Sequence, residues 1–152
     1  CDAWQVLAGE QKVHGRVAVI GGGLVGCETA EYLAMQGCKV TLVEMLGKIA
    51  DGISSTVLPT LLENYRSYGV AQLAEHKVTS IAIGELRCED KNGNAVKIPC
   101  DYIVMASGAR PVLFDTTAFR DKNIDVIKVG DCSEVADISH AIKTAYDAAN
   151  AH

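Results

Sequence analysis

Aromatic residues and proline are scarce in this sequence. Its 152 residues include 1 Trp, 2 Phe and 3 Pro, and aromatic side chains make up 5% of the chain. Any core must therefore be aliphatic. Val, Ala, Ile and Leu dominate, as in compact α/β proteins with a buried parallel sheet. No apolar run approaches the roughly 18 residues of a membrane-spanning helix, so no membrane partner is expected. No charged segment followed by an apolar one opens the chain, so no secretory signal is expected either. Cys1 rather than Met stands first, which raises the expectation that the chain is part of something longer. Basic residues are in deficit: 14 Lys and Arg against 19 Asp and Glu leave a net charge of -5, unsuited to a nucleic-acid surface.

The cysteines lack the spacing of a site. Cys1, Cys27, Cys38, Cys88, Cys100 and Cys132 form no C-x-x-C pair. That argues against a metal or disulfide framework and for reduced structural thiols in a cytoplasmic protein. No Ser/His/Asp set, carboxylate pair or metal-ligand cluster stands out, so neither a catalytic residue nor a metal site is expected. His140 reads as an ordinary histidine at a helix start. A length of 152 residues suits one domain and leaves little room for two.

What is present is a strand–turn–helix–strand unit. After a short helix capped by Asp2 and a polar lead-in, Arg16 to Ile20 is an apolar run of strand type. Gly21 to Gly26 is a glycine-rich turn, Leu24 to Gln36 has helical spacing, Gly37 ends that helix, and Lys39 to Val43 is a second strand ending in Glu44. A helix is expected from about Ser54 to Tyr68, capped by Ser54 or Ser55 and closed by Gly69, and then a strand at Val70 to Leu73. Short alternating runs at Val78 to Ile83, Leu86 to Glu89 and Ala95 to Ile98, with Asn92-Gly93 between the last two, predict an inserted antiparallel meander before a strand at Tyr102 to Met105. Pro111 to Asn123 reads as irregular, Ile124 to Val129 as a further strand, and Ile138 to Ala151 as a final helix. The expected fold is α/β, a Rossmann-like doubly wound parallel sheet with an inserted antiparallel β-meander.

Gly21, Gly23 and Gly26 satisfy G-x-G-x-x-G. The first allows the sharp turn out of the strand, the second lets a pyrophosphate approach the backbone, and the third lets helix and strand pack closely. Amides near Leu24 and Val25 face the helix N-terminus, where the dipole favours an anion. Glu44 lies 18 residues after Gly26, near the spacing of a ribose-binding carboxylate. A carboxylate there accepts from the adenosine ribose diol of NAD and repels the 2′-phosphate of NADP. NAD is thus favoured, although Lys48 could neutralise part of a phosphate and Met45 adjoins the same position. The fingerprint by itself also admits FAD.

The segment GGGLVGCETAEYL resembles the NAD(H)-binding insert of flavoproteins with two dinucleotide-binding domains, in which an acid two residues past the third glycine, Glu28 in this sequence, is usual. DYIVMASGARP is similar to a later motif of those proteins, and would set Ala106, Ser107 and Gly108 against the dinucleotide. VIKVGDC resembles the motif whose aspartate touches FAD, which points to Gly130 and Asp131. Over nearly its whole length the chain resembles the C-terminal region of the old-yellow-enzyme-like oxidoreductases: NADH:flavin oxidoreductases, 2,4-dienoyl-CoA and 2-enoate reductases, and trimethylamine dehydrogenase. The resemblance implies residues 1–15 as a lead-in, 16–111 as an NAD(H)-binding Rossmann domain, and 112–152 as a linker with the strand–helix remnant of an FAD-binding domain. It implies NADH as cofactor, FAD in the complete enzyme, and the FAD-binding and FMN-barrel portions of that enzyme as partners. Hydride would pass from NADH to FAD and electrons onward to an enoate- or enoyl-type substrate. The chain carries no second glycine fingerprint and none of the family's iron–sulfur cysteines. A stand-alone NAD(H)-binding module without catalysis therefore remains the alternative. The apolar run from Ile124 has no evident partner strand, which leaves a homo-oligomer open.

Overall fold

In a computed structural model, residues 1–122 and 124–151 are described, and they divide into two compact units, Cys1–Gly108 and Ala109–His152. Asn123, where the irregular stretch is expected to end, lies outside the described residues.

The first unit is built on a four-stranded parallel sheet. Helix α1 (Ala3–Leu7) opens the chain, with the Asp2 side chain accepting from the Trp4 amide. Strand β1 (Arg16–Ile20), helix α2 (Leu24–Met35) and strand β2 (Lys39–Val43) form the first crossover. Helix α3 (Leu58–Tyr68) leads to β3 (Ala71–Leu73). The antiparallel strands β4 (His76–Ala82), β5 (Glu85–Asp90) and β6 (Ala95–Pro99) intervene before β7 (Tyr102–Met105) returns beside β1. The sheet order is β3-β2-β1-β7, and the second sheet runs β4-β5-β6.

From Val17 to Ile20 strand β1 is apolar because both faces of the sheet are covered there. Val17 and Val19, with Val40 and Leu42 of β2 and Val104 of β7, join a core that includes Ala30 and Leu33 of α2 and Leu61 and Tyr65 of α3. Ala18 and Val43 point the other way, into a second core with Leu86, Cys88, Ile98 and Cys100 of the meander region. The meander thus covers the sheet face opposite these helices. Buried Tyr65 donates to the Cys27 carbonyl at 2.8 Å and pins α3 to α2. At the other end of the sheet Asp101 accepts from the Arg16 amide (2.9 Å), Nε (3.2 Å) and guanidinium NH2 (2.6 Å), joining the start of β7 to that of β1.

Two expectations are corrected. Helix α3 starts at Leu58 with Val57 as its cap, not at Ser54 or Ser55. Pro59 lacks an amide hydrogen, so it is accommodated in a first turn rather than inside a longer helix. The Ser54 carbonyl accepts from the Val57 and Leu58 amides (3.0 Å each) and forms the turn that leads in. Residues 124–129 form no strand. No described strand pairs with them, and an apolar run without a ladder does not become sheet.

The second unit holds α4 (Thr117–Arg120), a 3₁₀ turn at Gly130–Cys132 and α5 (Ile138–Asn150). The Asp137 side chain caps α5 by accepting from the His140 amide at 2.7 Å. Gly130 sits at φ 60° and donates to Thr144 Oγ1 at 3.0 Å, which seats the turn on α5.

Candidate functional site

The C-terminal ends of β1 and β2 and the loop after β7 open into one cleft. It has a volume of about 520 Å³ and lies where the strand order reverses, the point at which open α/β sheets take their ligands.

The glycine loop forms its floor. Gly21, at φ 109°, donates to the Val43 carbonyl at 2.9 Å, and a β-carbon there would stand 2.4 Å from the Ala106 oxygen. Strands β1 and β7 are joined at this point too, by the Ala106 amide donating to the Ile20 carbonyl at 2.8 Å. A β-carbon on Gly26 would lie 1.8 Å from the Gly21 oxygen, so glycine at 26 is what lets α2 close on the loop. Gly23 differs: a β-carbon there would meet nothing within 4 Å. Gly23 also serves as N-cap of α2 without any side-chain hydrogen bond, which leaves the first-turn amides without a side-chain acceptor and available to an anion.

Glu44 closes the other side. Its Oε2 accepts from the Gly22 amide at 2.6 Å and its Oε1 from the Leu46 amide at 2.7 Å. Each carboxylate oxygen retains a second lone pair, so the group can still accept from a pair of hydroxyls. Gly22, at a position the fingerprint leaves open, is constrained by packing where the motif glycine Gly23 is not. A β-carbon on it would approach Glu44 Cβ to 2.9 Å and Ile49 Cγ1 to 3.1 Å, and its carbonyl accepts from the Ala50 amide at 2.8 Å.

Most of the sequence-predicted site residues converge. Gly21, Gly23, Leu24, Val25, Glu44, Met45, Ala106, Ser107 and Gly108 all line the cleft. Gly26 lies behind it as a packing residue. Glu28 is exposed on α2 and does not line it. Lys48 does not line it either, and its ammonium pairs with Asp51 at 2.9 Å. Gly130 and Asp131 belong to the second unit, where Asp131 is exposed and accepts from the Ala136 amide at 3.4 Å. Sequence reasoning missed His76, Lys77 and Val78, which line the cleft from the start of β4. No spacing rule signals them. They reach the cleft because the His76 amide donates to the Glu44 carbonyl at 2.9 Å, setting β4 beside the end of β2.

These features fit a dinucleotide. The open face at Gly23 and the uncapped amides suit a pyrophosphate, and the held carboxylate of Glu44 suits a ribose diol. Among the described residues no cluster of His, Cys, Asp or Glu suited to a metal ion is found, and no helix is long and apolar enough to cross a membrane.

Comparison with known proteins agrees with this geometry. The chain is similar to bilirubin reductase of Mediterraneibacter gnavus, 51% identical over 150 residues that cover 98% of this chain and 23% of that protein. It is also similar to NADH oxidase of Thermoanaerobacter brockii, 37% identical over 151 residues, covering 97% of this chain and 23% of that protein. In fold it is similar to a 2-naphthoyl-CoA reductase, with a TM-score of 0.79 at 24% identity over 96% of this chain and 22% of that one. The chain therefore spans about a quarter of the length of these relatives. The family model of pyridine nucleotide-disulphide oxidoreductases matches residues 1–145, and the chain belongs to that family.

Proposed function

We propose that the chain binds NADH and presents it for hydride transfer to FAD within a longer flavin-dependent oxidoreductase. The observation that carries this reading is the pairing of an open glycine face at Gly23 with a Glu44 carboxylate held by two backbone amides across the same cleft. The loop amides at Leu24 and Val25 would hold the pyrophosphate and Glu44 the adenosine ribose. Ala106, Ser107 and Gly108 would border the nicotinamide half. Bound NADH supplies the hydride; the protein's part is binding and orientation.

Residues 16–111 serve as the nucleotide domain on this reading, behind the lead-in 1–15. Residues 112–152 are a linker and a remnant of a flavin domain that keeps its helix, Ile138–Asn150, with Gly130 and Asp131 toward the flavin. The flavin-bearing and FMN-barrel portions of a longer enzyme are the partners, and an enoate- or enoyl-type compound is the final electron acceptor. A reductase of bilirubin and an NADH oxidase among the relatives support reduction of an unsaturated acceptor at the expense of NADH. Free thiols at all six cysteines support a reducing, cytoplasmic setting. The test is stopped-flow reduction of the flavin by NADH in the longer enzyme. Flavin bleaching that is lost with Gly23→Val supports the proposal, and bleaching unchanged in that variant rejects it.

A further inference from the structure

The turn between β3 and β4 is held in a backbone conformation that L residues avoid. Glu75 sits at φ 57° without being glycine. Its amide donates to the Leu46 carbonyl at 2.9 Å, and its carboxylate pairs with Lys91 at 2.9 Å. With the bond from the His76 amide to the Glu44 carbonyl (2.9 Å), the turn is tied along the strand end that carries the ribose carboxylate. Strain maintained by this many ties commonly marks a functional position. What the turn delivers to the cleft is the half-buried imidazole of His76.

That imidazole has a defined polarity. Its Nδ1 lies 2.6 Å from the Ala74 carbonyl oxygen. A carbonyl can only accept, so Nδ1 carries the proton. In the neutral ring Nε2 is then a lone-pair acceptor, and it bonds to no described residue. With pyrophosphate at the α2 N-terminus and ribose at Glu44, the base of the adenosine half comes next, toward Met45, His76 and Val78. We propose that His76 is a specificity residue for that base, its Nε2 accepting a hydrogen bond from the 6-amino group of adenine. The inference rests on the dinucleotide reading above. A 6-oxo purine would set a carbonyl oxygen against the same lone pair, and a site built to pair a polar group rejects the analogue that cannot pair.

The test compares NADH with reduced nicotinamide hypoxanthine dinucleotide, titrated into the 152-residue chain at mildly alkaline pH. The parent chain should prefer NADH by about tenfold. His76→Phe, with its fold checked by melting, should weaken NADH by about tenfold, leave the hypoxanthine analogue unchanged, and so close the gap. If that variant does not fold, His76→Leu is measured in its place with the same expectation. Equal affinities in the parent, or a substitution at His76 that weakens both ligands alike or preserves the gap, would overturn the inference and leave NADH binding intact. A parent chain that binds neither ligand would overturn the dinucleotide reading itself, and this inference with it.

Discussion

The Gly22 amide donates to Glu44 Oε2 at 2.6 Å, so the phosphate loop and the strand-end acid of this fold are one hydrogen-bonded unit. Oε1 of the same carboxylate holds the Leu46 amide at 2.7 Å. The carboxylate is therefore oriented before any ligand arrives, and its geometry depends on a glycine outside the three fingerprint positions.

Glu44→Gln tests that unit without a ligand. A side-chain amide has one acceptor oxygen, so its NH2 would face either the Gly22 or the Leu46 amide, donor against donor. One orphaned amide costs about 1 kcal/mol, and the variant should melt roughly 2–4 °C lower. A melting temperature equal to the parent's would show that the carboxylate does not brace the loop.

The glycines should separate into two classes. Gly23→Val introduces a side chain at φ -75° into open space, so the variant should fold with a parent-like circular dichroism spectrum and lose measurable NADH binding. Gly26→Ala places a carbon 1.8 Å from the Gly21 oxygen, so it should damage the fold itself and lower the melting temperature sharply. Tight NADH binding in folded Gly23→Val would move the pyrophosphate elsewhere.

Acid should loosen the sheet at its N-terminal end. Arg16, through its side chain first and its amide second, draws the Asp101 carboxyl down from 3.8 to about 2. A group whose value is lowered on folding stabilises the protein fully above its unfolded value, and that contribution fades as pH falls toward the folded one. Melting temperatures taken from about pH 4 down to 2 should fall more gently in Asp101→Asn than in the parent. Parallel curves would remove Asp101 from the account of acid stability. Because the pair is exposed, the effect should also shrink in high salt.

Much of this architecture can be read from the sequence, for identifiable reasons. Strands at Arg16–Ile20, Lys39–Val43 and Tyr102–Met105 announce themselves as short apolar runs because helices cover one face of the sheet and the meander the other. The Asn92-Gly93 turn fixes a hairpin, with Gly93 at φ 82°. The start of α3 is misjudged when Ser54 is weighed above Pro59, although the proline's missing amide hydrogen decides the matter. Residues 124–129 carry the pattern of a strand without a neighbour to make them one. Within the site, the motif residues converge because the fingerprint encodes local geometry. Gly22 and His76 escape it, since one is set by packing against a side chain 22 residues away and the other by a turn strained at Glu75.

The isolated chain should be colourless. On the proposed reading Gly130 and Asp131 would offer a flavin one or two hydrogen bonds, too little against the entropy of association. The purified protein should bind NADH yet fail to pass electrons to ferricyanide or a quinone until a flavin-bearing portion is added. A yellow chain that oxidises NADH unaided would contradict this division of labour.

The central claim is that Glu44 holds the adenosine ribose of NADH in the cleft above the glycine loop. Calorimetric titration of NADH and NADPH into the parent and into Glu44→Ala tests it most directly. A charged acceptor is worth on the order of 1.5–3 kcal/mol, so the substitution should weaken NADH by roughly ten- to a hundredfold and narrow the gap to NADPH. The parent should bind NADH more tightly than NADPH. Equal affinities for the two nucleotides in the parent, or NADH affinity untouched by Glu44→Ala, would contradict the account.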